Sequence, residues 1–256
     1  MTEVRLVREE ESARFLEILC TVFGLDLERA RSVFFTEPLY SLRGKWGLFE
    51  DGVLQSILTT TPLEFGFGPA IGIAGVATMP NARGRGLARQ LLTGTMDDAT
   101  ARGVPTTLLF AHDPRLYDDL GFETLDTVIR GKLRVDFTEH APPIELPEVR
   151  AVYQRWSDAD TARLRRDDRR WESWNWTLRC SEQVSEGYIV QESTQVREAI
   201  GLGERERWPA PPDTDWVGLA TLTEALQVPL RNQRHDLLFM GKGAPTAPVL
   251  FMTDQF

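Results

Sequence analysis

IGIAGVATMPNARGRGLARQLLTGTMDDATARGVPTTLLFAHDPRLYDDLGFE, residues 71–123, is the stretch whose reading decides the fold. The apolar run from Ile71 to Thr78 predicts a strand, and Pro80 and Asn81 break it. A glycine-rich turn follows, Arg83-Gly84-Arg85-Gly86-Leu87-Ala88. Leu87, Leu91, Leu92, Met96 and Ala99 then recur on one face at helical spacing. Gly103 and Pro105 end that helix, and Thr106 to Phe110 reads as a second buried strand. Strand, tight turn, helix and strand in this order aim several free backbone N–H groups at one spot.

The turn's residues say what that spot can hold. Gly84 and Gly86 allow tight backbone geometry and close approach of a ligand. The first N–H groups of the helix lack intrahelical partners and carry the positive end of its dipole. Arg83 and Arg85 add formal charge, so the turn suits a pyrophosphate or another multiply charged anion. It is not a Walker loop, because no Gly-Lys-Ser/Thr follows, and it lacks the third glycine of a dinucleotide fingerprint. A plain structural turn uses the same residues, so the turn alone leaves both readings open.

Two motifs together carry a resemblance. Arg83-x-x-Gly86-x-Ala88, entered from Gly75-Val76-Ala77-Thr78-Met79-Pro80, resembles the acyl-CoA-binding signature of the GCN5-related N-acetyltransferases. Tyr117-Asp118-Asp119-Leu120-Gly121-Phe122-Glu123 resembles their tyrosine-bearing second signature. IAGVATMPNARGRGLARQLL is similar to the enhanced-intracellular-survival branch of that superfamily. The resemblance implies an α+β fold, a mixed sheet flanked by helices, over residues 1–138. It also implies a second α+β domain over 139–256, a degenerate acetyltransferase-like unit. Branch members add a third, sterol-carrier-like domain, and the layout expected here lacks it.

The resemblance further implies acetyl-CoA as cosubstrate. The backbone of Val76, Ala77 and Thr78 would pair with the pantetheine amides. The N–H groups of residues 84–89 (Gly84, Arg85, Gly86, Leu87, Ala88 and Arg89) would hold the pyrophosphate. Arg83 and Arg85 assist, and only one of them need face the phosphates. Tyr117 would protonate the departing thiolate; a core tyrosine with a satisfied hydroxyl is the plainer reading of that residue type. For the base, His112 is close in sequence, and imidazole changes protonation near neutral pH. Branch members also bring a C-terminal carboxylate into the active site, and this sequence ends in Phe256. A surface terminus is the plain alternative. Glu123 is a third acceptor, though its place after Gly121-Phe122 suits a strand edge. Asp113 suits a cationic amine or a helix cap, and Asp118 and Asp119 are available to a cation or to solvent.

Composition narrows the class. The 256 residues are 42% hydrophobic and 26% charged, globular values that fit one large domain or two modest ones. A net charge of -9 argues against a nucleic-acid partner, since backbone binding needs a basic surface. Cys20 and Cys180 make no disulfide framework, and Cys20 reads as a small buried hydrophobe. The N-terminus has no signal-peptide core and no apolar run reaches membrane-spanning length, so cytoplasm without a membrane partner is the expected setting. Glu9-Glu10-Glu11 reads as a helix's first turn, and no metal is expected.

The remaining elements follow from period and breakers. Val4 to Val7 predicts a strand, Glu9 to Val22 a helix ended by Gly24, and Asp51-Gly52 a hairpin between Trp46–Glu50 and Val53–Thr60. Val33-Phe34-Phe35 suits either the core or a substrate entrance. Leu63 to Pro69 reads as loop, and Thr127 to Val135 as strand. A linker is expected around 139–147. Helices are expected at Val149–Trp156, Ala162–Trp174 and Trp216–Leu226. Strands are expected at Gly187–Gln191, Gln195–Ile200, Leu237–Met240 and Val249–Met252. Arg165, Arg166, Arg169 and Arg170 read as a charged outer face over Trp171, Trp174 and Trp176. Pro209–Pro212 reads as a loop.

The function expected from all this is direct acetyl transfer to a primary amine of a small molecule or peptide, with neither cysteine as nucleophile. The alternatives are an acyl-CoA-binding sensor or interaction protein without catalysis, and an acyltransferase acting on a hydroxyl. A homo-oligomer is the remaining partner expectation.

Overall fold

The computed structural model describes residues 1–134, 142–177, 180–184, 187–201 and 214–256. The first half runs β1 (Thr2–Leu6), α1 (Ser12–Phe23), α2 (Leu27–Phe34), β2 (Lys45–Glu50), β3 (Val53–Phe65), β4 (Gly68–Thr78), α3 (Leu87–Ala101), β5 (Thr106–Ala111), α4 (Arg115–Asp118) and β6 (Glu123–Leu133). The second runs α5 (Leu146–Asp158), β7 (Leu164–Arg165), α6 (Asp168–Trp176), β8 (Cys180–Val184), β9 (Gly187–Glu192), β10 (Gln195–Ile200), β11 (Asp215–Leu219), α7 (Ala220–Ala225) and β12 (Leu230–Lys242).

All the strands belong to one sheet in the order β1-β2-β3-β4-β5-β12-β6-β11-β10-β9-β8, with β7 on the edge of β3. β12, from the second half, lies between β5 and β6 of the first. Residues 1–138 and 139–256 therefore do not form separate sheets. The boundary expected near 139 falls in part among residues 135–141, outside those described. No described helix is long and apolar enough to cross a membrane.

Local sequence explains the first half. α1 buries Phe15, Leu16, Ile18 and Cys20, and Gly24 ends it in a left-handed conformation, φ 66°. Asp26 caps α2, its carboxylate accepting from the Arg29 N–H at 2.7 Å. Asp51 (φ 48°) and Gly52 (φ 81°) make the tight hairpin turn between β2 and β3. α3 buries Leu87, Leu91, Leu92, Met96 and Ala99, the face its spacing predicts, against Trp46, Leu48, Leu58 and Ile73 of the sheet. Leu91 is fully buried there. Leu91→Ala is expected to destabilise the protein by about 2–5 kcal/mol, which urea unfolding measures directly.

Several expectations are corrected. Leu63–Phe65 is strand, because β3 runs on to Phe65 and turns at Gly66-Phe67 into β4. Pro62 is tolerated there: β2 leaves β3 after Thr59, so the residue lacking an N–H lies at an open edge. Phe65 is buried and stacks on Phe67 with centroids 4.9 Å apart. Residues 162–174 are not one helix: Leu164–Arg165 pairs with β3 before α6 begins. Asp215–Leu219 is a strand, with only Ala220–Ala225 helical. The short apolar run Trp216–Leu219 has no period that separates strand from helix. Val249–Met252 forms one bridge, Arg163 to Val249, then a short 3-10 turn. Arg166 and Arg170 are buried beneath Trp171 and Trp174 instead of facing solvent. Pro209–Pro212 lies outside the described residues.

Candidate active site

β4 and β5 run parallel and pair from Ala70↔Thr106 to Ile73↔Leu109, and there the pairing stops. β5 goes on beside β12, Phe110 opposite Phe239 and Ala111 opposite Leu238. β4 goes on beside β3 and bulges, with Gly75 and Val76 together facing Leu58; Gly75 has φ 60°. The bulge turns β4 away from β5. The β4 edge from Ala74 to Thr78 is left with no strand on the β5 side, and its backbone groups face a cleft.

Two adjoining cavities of about 390 Å³ each fill that cleft. Val76, Leu116 and Tyr117 line both, so they make one groove. One end is the glycine-rich turn: Thr78, Arg83, Gly84, Gly86, Leu87, Ala88 and Arg89 line it. Gly84 (φ 75°) and Gly86 (φ 73°) are left-handed, and a Cβ on either would meet no protein atom within 4 Å. Their bare faces look into open space. The first backbone bond of α3 runs from the Gln90 N–H to the Gly86 carbonyl, so the N–H groups of residues 87–89 have no intrahelical partner.

The three arginines of the turn divide. Arg83 lines the groove and its Nε donates to the Thr78 carbonyl at 3.2 Å. Arg89 lines it while pairing with Asp119. Arg85 turns away and holds Glu50 in a two-pronged contact of 2.8 and 2.5 Å. Of the two arginines weighed from sequence, Arg83 lines the groove and Arg85 does not. Ala77 is buried beneath the groove and offers backbone only.

The far end of the groove is built from Ile73, Ala74, Phe110, His112, Asp113 and Phe23. Pro114 starts α4, which carries Leu116 and Tyr117 over the middle. The Tyr117 ring packs edge-on against Phe122, centroids 5.9 Å apart. No described residue hydrogen-bonds its hydroxyl. Burial pushes the phenol above its ordinary pKa, so it stays protonated at neutral pH. His112 is exposed, and its Nδ1 lies 3.1 Å from the Asp236 carbonyl on β12. A carbonyl only accepts, so Nδ1 carries the proton, and neutral His112 keeps its Nε2 lone pair free.

The acidic residues are mostly engaged. The Arg115 guanidinium and its backbone N–H hold the Asp113 carboxyl at about 2, so Asp113 is a local ion pair and not a free cation site. Asp119 is held by Arg89. Glu123 is the exposed first residue of β6, opposite Gly241. The Phe256 ring lies over Gly72 and against Phe110, centroids 5.5 Å apart. The chain end therefore adjoins the far end of the groove. Phe23, Phe110 and Leu116 are lining residues that sequence reasoning missed; each looks like ordinary core from its spacing.

Residues 3–125 match the model of the acetyltransferase (GNAT) domain family. No curated protein matches the sequence. Solved structures match the fold over nearly the whole chain. A GCN5-related N-acetyltransferase from Kribbella flavida is 16% identical with TM-score 0.74, covering 94% of this chain and 70% of that one. A putative acetyltransferase from Pyrococcus horikoshii is 12% identical with TM-score 0.71, covering 96% and 91%. Eis1 from Mycobacterium abscessus is 14% identical with TM-score 0.61, covering 93% and 73%. The splayed β4–β5 pair, the glycine turn at the start of α3 and the family match over residues 3–125 agree: this chain carries a GNAT acetyltransferase domain in a mixed α+β fold.

Proposed function

We propose that the protein moves an acetyl group from acetyl-CoA directly to a primary amine of a small molecule or peptide. The observation that carries this is the open β4 edge meeting, at Tyr117, a groove that runs from free helix N–H groups to His112. Acetyl-CoA fits these residues. The edge from Ala74 to Thr78 has no strand partner on the β5 side, which leaves room for an amide-bearing arm to pair with its backbone. The turn offers N–H groups of residues 87–89 with Arg83 and Arg89 for a pyrophosphate.

Each side chain then has one task. His112 Nε2 takes a proton from the acceptor ammonium, which frees the nitrogen lone pair to attack the acetyl carbonyl carbon. As the carbon–sulfur bond breaks, Tyr117 gives its proton to the leaving thiolate; the nitrogen sheds its second proton as the amide forms, and solvent returns a proton to the phenolate. Cys20 is no nucleophile in this reading: it is buried in α1, and burial raises its thiol pKa. In this reading residues 1–138 hold the acyl donor, and 139–256 close the acceptor side with β12 and the chain end.

A thiol-release screen with acetyl-CoA tests this across polyamines, aminoglycosides and lysyl peptides, beside a matched set of alcohols. Turnover with an amine supports it. Turnover only with alcohols overturns the amine assignment, and tight acetyl-CoA binding without turnover leaves a sensor. The donor site has its own check. Gly86→Val forces a β-branched residue to φ 73°, where it is strained and distorts the turn. The acetyl-CoA Kd measured by calorimetry is expected to rise about tenfold. An unchanged Kd would place the donor elsewhere.

A further inference from the structure

We propose that Arg166 is the centre of a clamp on the chain end, and that Phe256, seated by it, is the wall that limits acceptor size. The clamp is read from geometry alone. Naming that end of the groove as the acceptor side rests on the acetyltransferase reading above.

The Arg166 guanidinium is fully buried, 3.8 Å from the Tyr153 ring centre and 4.7 Å from that of Trp171. Its Nε and Nη2 donate to Asp254 at 2.9 and 2.7 Å. Nη1 and Nη2 donate to Glu198 at 3.1 and 2.7 Å, and Nη2 also reaches the Thr253 hydroxyl at 3.0 Å. Glu198 further accepts from Trp174 Nε1 at 3.1 Å and from the hydroxyls of Tyr188 and Thr253. Arg170, 3.8 Å from Asp254, supplies the second positive charge, so two guanidiniums face two carboxylates that are each bonded on several sides. What the cluster holds is Thr253 and Asp254.

The place where it holds them repeats the active groove. β10 and β11 run parallel for two rungs, Gln195↔Asp215 and Val196↔Trp216, and then separate. β10 bulges between Val196 and Glu198 where it pairs with β9, as β4 bulges at Gly75. In the first half the gap beyond such a pair is an open groove. In the second half the 3-10 turn Met252–Asp254 packs on both β10 and β11. The clamp residues Arg166 and Glu198 fix that plug by directional bonds, which specify one register where apolar contacts would slide.

From the plug the chain reaches across to the first half. Arg197 Nη2 donates to the Gln255 side-chain oxygen at 3.0 Å. A Cβ on Gly72 would lie 2.3 Å from the Phe256 ring, so only glycine lets the ring sit there. The same ring contacts Phe110, which lines the groove beside His112. The ring thus stands behind Phe110, and a plug that shifts takes away the support of that end of the groove.

Asp254→Asn keeps shape and removes the negative charge that faces Arg166; Phe256→Ala keeps the clamp and removes the ring that backs Phe110. Carboxypeptidase is expected to release the last residue of the Asp254→Asn protein about tenfold faster than that of the parent, at a temperature where their near-UV dichroism is the same. The ratio of kcat/KM for tobramycin over spermidine is expected to rise about tenfold in both variants. The double variant should equal Phe256→Ala alone, because both act through one ring. The acetyl-CoA Kd should stay within about twofold, since neither residue lines the donor end. A tail as resistant as the parent's, or a ratio unmoved by Phe256→Ala, overturns the proposal. If Asp254→Asn does not fold, the Phe256→Ala ratio decides alone. If no amine turns over in the parent protein, the acetyltransferase reading has failed, and the carboxypeptidase rate still judges the clamp.

Discussion

Tyr117→Phe is expected to lower kcat about 100-fold to 10,000-fold while the acetyl-CoA Kd changes little. The ring packs edge-on against Phe122, and phenylalanine keeps that contact. No described residue bonds the hydroxyl, so removing it strands no partner and leaves the fold intact. What disappears is the proton donor between the two cavities. Burial raises the phenol's pKa, so the sign of the pH dependence follows. The acid is present below the raised value and lost above it, which puts the alkaline limb of kcat above the ordinary phenol value of about 10. In Tyr117→Phe that limb should vanish with the rate. A variant that keeps the parent's kcat shows that the thiolate finds its proton elsewhere and returns Tyr117 to a packing role.

The parts legible in the sequence are those whose cause is local. β4, the turn and α3 follow from an apolar run, two glycines and a helical spacing, all within about one supersecondary unit. The Tyr117 segment was readable for the same reason, since α4 is a single short element started by Pro114. Arg85 was not. The sequence leaves open which of Arg83 and Arg85 faces an anion; Glu50 at the end of β2, 35 residues earlier, takes both terminal nitrogens of Arg85. Of the two readings of Asp113, the cap is the one seen: its carboxylate accepts the Arg115 backbone N–H, and the Arg115 side chain folds back on it as well. Arg166 looked like a surface charge among charges. Its partners lie 32 and 88 residues away, a separation no local pattern encodes.

Topology was hidden for a related reason. The strand character of residues 230–242 is partly visible at Leu237–Met240, yet nothing in it says that β12 belongs between β5 and β6. That insertion does more than lengthen the sheet. It puts the Asp236 carbonyl against His112 Nδ1, so the second half of the chain fixes the tautomer of a residue contributed by the first. Cutting the chain near 139 would remove β12, leave the β5 edge unpaired and free the imidazole.

His112 and the chain end are the two candidates for the base, and a pair of variants separates them. His112→Ala is expected to cost about 100-fold to 10,000-fold in kcat/KM and to spare the acetyl-CoA Kd. The imidazole lines the groove, and its Nδ1 bond to a carbonyl leaves Nε2 as an acceptor aimed by a fixed strand. The carboxylate of Phe256 adjoins the same end, because its ring lies on Phe110. Extending the chain by a few residues past Phe256 turns that carboxylate into an amide, which is no base, and leaves the ring its seat over Gly72. With His112 as base, the extended protein keeps turnover within about tenfold of the parent, the range of a modest steric effect. A loss of about 100-fold or more in the extended protein, together with near-normal rates in His112→Ala, would transfer the role to the chain end. The acid limb of kcat/KM gives an independent reading, since it reports the free enzyme's base. It should be missing from His112→Ala and present in the extended chain.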